Sequence, residues 1–588
     1  MPFGAEVEAD GKIRFRLWAP AAGSVELSLE AGLFPMSYLG DGWWQRLSEE
    51  ARPGSRYTYV IDSGYRVPDP ASRFQPQDVH GPSEVIDPEA FDWGESSWCG
   101  RPWHEAVIYE LHVGAFSAAG DFRGIEARLD HLAALGVTAL QLMPLSDFPG
   151  ARDWGYNGVL PFAPDSSYGR PEQFKRLVRA AHARGLMVFL DVVFNHFGPE
   201  GNYLHRYAPA FFSARHATPW GNAINFDAEG SRRVREFFLH NALYWLEEYQ
   251  LDGLRLDAVH AIYDDSSPDI LEELAARAAK MSGAGRHLHL ILENDNNAAH
   301  YLRRGYRAQW NDDLHHCLHL LLTGESDGYY RDYADHPLRH LGRCLAEGFA
   351  YQGEVSAFRA GRRRGEPSAE LPPTAFVGFL QNHDQVGNRA FGERLTALAS
   401  AQALHAATAL LLLSPQPPLL FMGQEWGTHR RFPFFCDFEP GLAQAVSAGR
   451  RKEFAHFAEP AAGERIPDPN DPGTFVAARL DWSELEHPEA QQWLSLHQSL
   501  LAIRQREIVP LLSSIDGAAG RWREFGTQGL EVAWRLEQGG ELRLLANLSA
   551  QPLALEPPEG RRLYATHEGE GGLPPWFVGW YRCMEGEG

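Results

Sequence analysis

Cysteine is scarce in this sequence. The chain has five, Cys99, Cys317, Cys344, Cys436 and Cys583, an odd number scattered over 588 residues. No two have the spacing of a zinc or redox motif, which argues against a disulfide scaffold and for free thiols in a reducing, cytoplasmic compartment. Positive charge is also in short supply: 54 basic against 77 acidic residues give a net charge of −23. A nucleic-acid partner is not expected, because phosphate binding needs clustered cations. The one basic cluster, "RAGRRRG" at 359–365, lies among Gly and Pro and reads as an exposed loop. The N-terminus, "MPFGAEVEADGKIRF", has acids and no apolar core of a signal peptide. Long apolar runs are missing too. The best membrane candidate, residues 396–424, has no charged side chain, but Pro415, Pro417 and Pro418 cut it into a helix and a strand, each too short to span a bilayer. It reads as buried core.

What is present is the patterning of a soluble multidomain protein. Residues 1–95 alternate apolar and polar positions in "KIRFRLWAP", "SVELSLE" and "SRYTYVID", the pattern of a small immunoglobulin-like β-sandwich. A Pro-rich connector follows. From 106 the rhythm changes. Near-continuous apolar runs ("AVIYELHVGAF", "VTALQLMPL", "LMVFLDVVFNH", "LDGLRLDAV", "HLHLILEND", a poorer one near "YRAQWNDD", "TAFVGFLQNHD", "PLLFMGQEWG") alternate with amphipathic helical stretches. Such strands belong to a parallel sheet covered on both faces, and eight of them predict a (β/α)8 barrel over residues 96–507, with a short insertion at 197–229. An open doubly wound sheet is disfavoured, since no glycine-rich phosphate loop follows the first strand. Residues 508–588 return to strand pattern, with a Gly-Gly turn in "GLEVAWRLEQGGELRLLANLSA", and are expected to form a small C-terminal β-sandwich domain.

Polar residues end four of the barrel strands: Asp191, Asn195 and His196; Arg255 and Asp257; Glu293; Asn382, His383 and Asp384. Barrels of this class carry their chemistry at the C-terminal ends of the strands. One acid there is unremarkable, but three on separate strands converge on one mouth. Carboxylates with an Asn suit magnesium or calcium, and paired carboxylates suit glycoside hydrolysis. Aromatic residues favour the second: 17 Trp, 20 Tyr and 33 Phe include Trp154, Tyr156, Phe197, Tyr203, Trp220, Trp310 and Trp426 just past strand ends, where flat faces beside polar groups suit sugar rings.

The blocks "DVVFNH" (191–196), "GLRLDAVH" (253–260), "LILEND" (290–295) and "FLQNHDQ" (379–385) resemble, in order and spacing, the four sequence blocks of the α-amylase superfamily of retaining glycosidases. "FRLWAPAAGSVELSL" resembles the sandwich that precedes the barrel in isoamylases and branching enzymes. Between the blocks, "DWGYNGVLPFAPDSSYGRPEQFKRLV", "TPWGNAINFD" and "QWNDDLHHCLHLLLTGESDGYYRDY" resemble the maltooligosyltrehalose trehalohydrolases, which cut trehalose from the reducing side of a maltooligosaccharide. This resemblance implies Asp257 as nucleophile, Glu293 as general acid and then base, and Asp384 as the acid that binds hydroxyls of the reacting sugar. Arg255 is expected to hold Asp257, and His196, His383 and Tyr156 to bind the same sugar. His260 is expected to reach the leaving-group side, with Asp312 or Asp313 a further contact. The substrate expected is maltooligosyltrehalose or a related α-1,4-glucan oligosaccharide. A maltooligosyltrehalose-forming enzyme is the implied functional partner, and no membrane partner is expected. A branching enzyme using the same acids, or a catalytically silent glucan-binding protein, would share most of these features. Asn195 matches a calcium ligand of many α-amylases, but the insertion after it is poor in acids, so no metal and no cofactor is expected. His315 and His319, four apart, suggest a helical metal pair, against which Asp312 and Asp313 read as a helix cap.

Overall fold

The computed structural model describes residues 1–218, 220–282, 285–454, 465–526, 528–567 and 572–584. At its centre, eight parallel strands close into a barrel in chain order. They are β1 (Ile108–Leu111), β2 (Ala139–Leu142), β3 (Met187–Val192), β4 (Gly253–Leu256), β5 (His289–Leu292), β6 (Ala308–Trp310), β7 (Phe376–Phe379) and β8 (Pro418–Phe421). Each lies within one of the eight runs read from the sequence. Every residue of these strands is buried, as expected when helices cover the outside and side chains fill the inside.

Side chains alternate between the two faces of each strand. The inward set forms one apolar cluster that includes Ile108, Ala139, Met187, Phe189, Ile291, Ala308, Val377, Phe379 and Leu419. Two residues beyond Ile108, Phe189 and Ile291, on the same face, stand Glu110, Asp191 and Glu293. Asp191 pairs in register with Arg255, and Glu110 with Gln141. The barrel interior is therefore apolar below and charged above, and the charged layer faces the mouth.

The N-terminal sandwich is as expected. One sheet orders the strands Gly4–Val7, Ile13–Trp18, Trp43–Ser48 and Ser37–Gly40, and the other orders Gly32–Pro35, Val25–Leu29, Arg56–Ile61 and Tyr65–Val67. The C-terminal β-domain differs in its second layer: its described residues form a single five-stranded antiparallel sheet. The sheet lies on the barrel helices, with Trp534 Nε1 donating to Leu345 O and Trp580 Nε1 to Ala409 O. Its hairpin turns at Gly539 and Gly540, both in the left-handed region (φ 89° and 81°) that glycine tolerates. Strand structure begins at Gly520; Val509–Leu512 are still helical.

The proline-cut segment forms the helix Ala401–Leu413 and strand β8, with Leu410–Leu413 fully buried. Among the described residues no helix is long and apolar enough to cross a membrane. In the basic run, residues 360–363 are exposed as expected, and Arg364 is the correction. Arg364 is 5% exposed, because its guanidinium is the countercharge of the fully buried Asp313 at 2.6 Å. Arg359 bonds Asp295 at the mouth. A Gly-rich context hid both pairings.

Candidate active site

Arg255 organises the charged layer. Its Nη1 donates to Asp191 Oδ2 at 2.5 Å and to Asp257 Oδ1 at 2.9 Å. Its Nη2 faces Glu293 Oε2 at 3.1 Å, an ionic contact that is not aligned as a hydrogen bond. The guanidinium lies 4.1 Å over the Trp310 ring. One planar cation thus touches three acids from three strands, the geometry for which arginine is suited. Side-chain exposure separates their roles. Arg255 and Asp191 are closed off at 0 and 1%, while Asp257, Glu293 and Asp384 reach the cleft at 12, 16 and 39%.

Local backbone geometry completes the arrangement. Ala258, next to Asp257, takes a left-handed conformation (φ 40°, ψ 48°) uncommon for a residue with a Cβ. In that position its N–H donates to Glu293 Oε2 at 2.6 Å. Asn195 Nδ2 reaches Asp257 Oδ2 at 3.4 Å. Asp384 sits in the first turn of a short helix, His383–Gly387, whose cap Asn382 accepts from the backbone N–H of Asp384 and Gln385.

The electrostatics follow from burial and crowding. Burial, then the charge of Glu293, pushes the Asp257 carboxyl well above the carboxylate range, with Arg255 opposing. Burial raises Asp191 to about 6 against the pull of Arg255. Asp384 is also raised, first by burial, with His383 opposing. Burial lowers His196 to about 4, so it is neutral. For His383 burial would act downward, but the carboxylates of Asp384 and Glu110 bring it up to about 9. The mouth therefore retains protons among its acids near neutrality, as acid catalysis requires.

The histidines and Tyr156 line one side. His196 Nε2 meets Tyr156 O at 3.0 Å, and its ring stacks on the half-exposed Trp220 at 4.7 Å. Tyr156 stacks on His383 and donates its hydroxyl to Asp191 at 2.8 Å. Trp154 packs edge-on against His383. Trp426 does not belong to the mouth; it is buried, with Nε1 on Glu484.

On the other side a cleft of about 290 Å³ opens beyond Glu293 and Asp384, lined by His260, Asp312, Tyr329, Phe358 and Arg359 among others. His260 and Asp312 thus fall beside the candidate acid, but Asp313 does not. It is fully buried and accepts from Asn297, Tyr333, Arg364 and the backbone N–H of Ala350 and Tyr351, a structural carboxylate. The cap of its helix, Asp312–Thr323, is Asn311, and both aspartates lie in the first turn. His315 and His319 do not converge on a metal position: His315 binds Leu380 O and Tyr330, and His319 binds Glu325.

Two contributors were not singled out from the sequence. Gln385 bridges to Asp312 at 3.4 Å. Glu110, fully buried, accepts from both the backbone N–H and Nδ1 of His383. The signal for Glu110 was a lone acid inside "AVIYELHV", on the same strand face as the barrel core.

A closed parallel barrel with three cleft-facing acids and an arginine among them is the architecture of a glycoside hydrolase, and sequence comparison agrees. Residues 85–215 match the alpha amylase catalytic domain family, residues 2–88 carbohydrate-binding module 48 (isoamylase N-terminal domain), and residues 517–580 a domain of unknown function, DUF3459. The malto-oligosyltrehalose trehalohydrolase of Saccharolobus solfataricus is 42% identical over 513 residues, 86% of this chain and 87% of that protein. A crystal structure from Salmonella typhimurium, described as a candidate alpha amylase, superposes with a TM-score of 0.94 at 45% identity, covering 99% of each chain. A 1,4-alpha-glucan branching enzyme from Corynebacterium jeikeium matches at 32% identity over 45% of this chain and 40% of its own. The chain is a glycoside hydrolase with an α-amylase-type catalytic domain. It belongs to the malto-oligosyltrehalose trehalohydrolase family.

Proposed function

We propose that this protein hydrolyses the α-1,4 bond joining trehalose to a maltooligosaccharide, releasing free trehalose with retention. The Asp257 carboxylate attacks the anomeric carbon and forms a β-glycosyl-enzyme. Glu293 protonates the departing trehalose oxygen, then takes a proton from the water that attacks the intermediate. The mechanism calls for Asp257 in its charged form, which the 2.9 Å bond from Arg255 Nη1 favours, and for the proton of the acid pair on Glu293. Asp384, His383 and His196 hold hydroxyls of the reacting sugar, and the free face of Tyr156 packs on its ring. His260 and Asp312 border the cleft on the far side of Glu293, which supports a leaving-group role.

The observation that carries this reading is the single guanidinium in contact with Asp191, Asp257 and Glu293 at the mouth of a barrel that belongs to this family. The substrate implies an upstream enzyme that forms maltooligosyltrehalose, and hence a place in trehalose biosynthesis. None of the five cysteines is joined in a disulfide, which fits a cytoplasmic setting. Incubation with maltotriosyltrehalose beside maltopentaose tests the proposal. Trehalose and maltotriose should accumulate from the first, with the second cut far more slowly. Equal rates, or new α-1,6 branch points in amylose, would favour a plain amylase or a branching transferase instead.

A further inference from the structure

The ring of His383 has two polar partners, and hydrogen-bond parity fixes its charge. Glu110 Oε1 lies 2.7 Å from Nδ1, and as a carboxylate it can only accept. On the other side, Nε2 lies 2.8 Å from the Tyr156 hydroxyl. That hydroxyl has one proton, and it is donated to Asp191 at 2.8 Å. It therefore accepts from His383. Both ring nitrogens are donors, so His383 is an imidazolium.

Glu110 is fully buried, and its second oxygen accepts the His383 backbone N–H at 3.0 Å. It thus fixes both the ring and the first residue of the helix that carries Asp384, and the ring in turn stands 3.5 Å from Asp384 Oδ1. We infer that Glu110 is a positioning residue of the active site: it holds His383 as a permanent imidazolium, set beside Asp384 and donating to the Tyr156 hydroxyl that borders the sugar, across the working pH range.

The full surroundings support this assignment. Glu110 on β1, Asp384 on the ring's own helix and Asp191 on β3 favour the cation. Arg255 on β4 and His112, just past β1, oppose it, and Tyr156 is neutral. The carboxylates prevail, and the ring holds its proton up to about 9. Without the Glu110 charge and its hydrogen bond, Asp384 is left as the main group opposing burial and Arg255, and the ring would lose its proton at a lower pH than in the wild type.

This inference rests on the assignment of His383 to substrate binding, and its test is built to fail separately. kcat and KM of wild type, Glu110→Gln and Glu110→Asp are measured on maltotriosyltrehalose from about pH 5 to pH 9, with folding checked by circular dichroism. Should wild type prefer another glucan, the proposed substrate is wrong, and the same profiles are taken on that glucan. The diagnostic quantity is the wild-type to variant ratio of kcat/KM, in which the titration of the acid pair largely cancels. For Glu110→Gln it should rise with pH, from roughly threefold near pH 5 to thirtyfold or more near pH 8, the value of a hydrogen bond from a charged donor. Glu110→Asp keeps the charge at a greater distance and should show a smaller rise in the same direction, so the test survives if the Gln variant does not fold. A ratio that is flat with pH in the folded variants would make Glu110 a merely structural residue and overturn the inference. So would wild-type activity in Glu110→Gln.

Discussion

Replacing Arg255 with Met probes the charged layer most severely. The side chain is fully buried and its guanidinium contacts three acids, so the substitution leaves Asp191, Asp257 and Glu293 crowded without a countercharge. Removing one partner of a buried ionic network typically costs about 3–5 kcal/mol. The pH dependence gives the sign. Asp191 stands at about 6 in the folded protein against an ordinary 3.8, and Asp257 is raised further. Acids with raised folded values bind more protons in the native state than in the unfolded chain. They lower stability as pH rises through the interval and exert no penalty below the unfolded value. For Asp191 alone the displacement corresponds to roughly 3 kcal/mol above its folded value. In Arg255→Met both carboxyls move higher still, and the loss of stability should grow with pH. Urea denaturation should find the variant less stable than wild type by about 1–2 kcal/mol near pH 5 and about 3–5 kcal/mol near pH 8. Turnover should fall at least roughly a hundredfold, because Asp257 is then protonated when it must attack. A deficit below about 1 kcal/mol, or one independent of pH, would refute the idea that this guanidinium is what makes three neighbouring carboxyls tolerable.

Further outcomes follow from the same geometry. Asp257→Asn and Glu293→Gln should each reduce turnover by roughly a thousandfold or more with the melting temperature little changed; steady-state kinetics and a thermal scan check both. Tyr156→Phe removes the hydroxyl between Asp191 and His383 and should lower kcat/KM by about tenfold or more. Arg364→Met strands the buried carboxyl of Asp313 and should cost about 3–5 kcal/mol in urea denaturation, the larger loss at neutral pH: Asp313 is held below its ordinary value, so its contribution disappears on acidification.

Much of this was legible in the chain. The eight strands were, because two-sided burial leaves near-continuous apolar runs whose ends are marked by the residues that break them. The acids were, because a carboxylate closing such a run has few structural uses. Less legible were the partners that lie far apart in sequence. Nothing local to "RAGRRRG" says that Arg364 neutralises Asp313, fifty-one positions away. Glu110 was hidden differently: in a strand of that composition one buried acid looks like an isolated exception until its partner, 273 positions on, is brought beside it by barrel closure. The second layer of the C-terminal domain was also invisible, because a strand pattern specifies one buried face and not whether a sheet or a helix covers it. The cap Asn311 and the two aspartates after it all suit a helix start, and only the backbone chooses among them.

The most direct test of the account is to trap the intermediate. Treatment with a fluorinated α-glucosyl fluoride that slows deglycosylation, followed by peptide mass spectrometry, should find one hexosyl adduct, carried by Asp257 and lost in Asp257→Asn. An adduct on Glu293 or Asp384 instead, or a product of inverted anomeric configuration with no adduct at all, would contradict it.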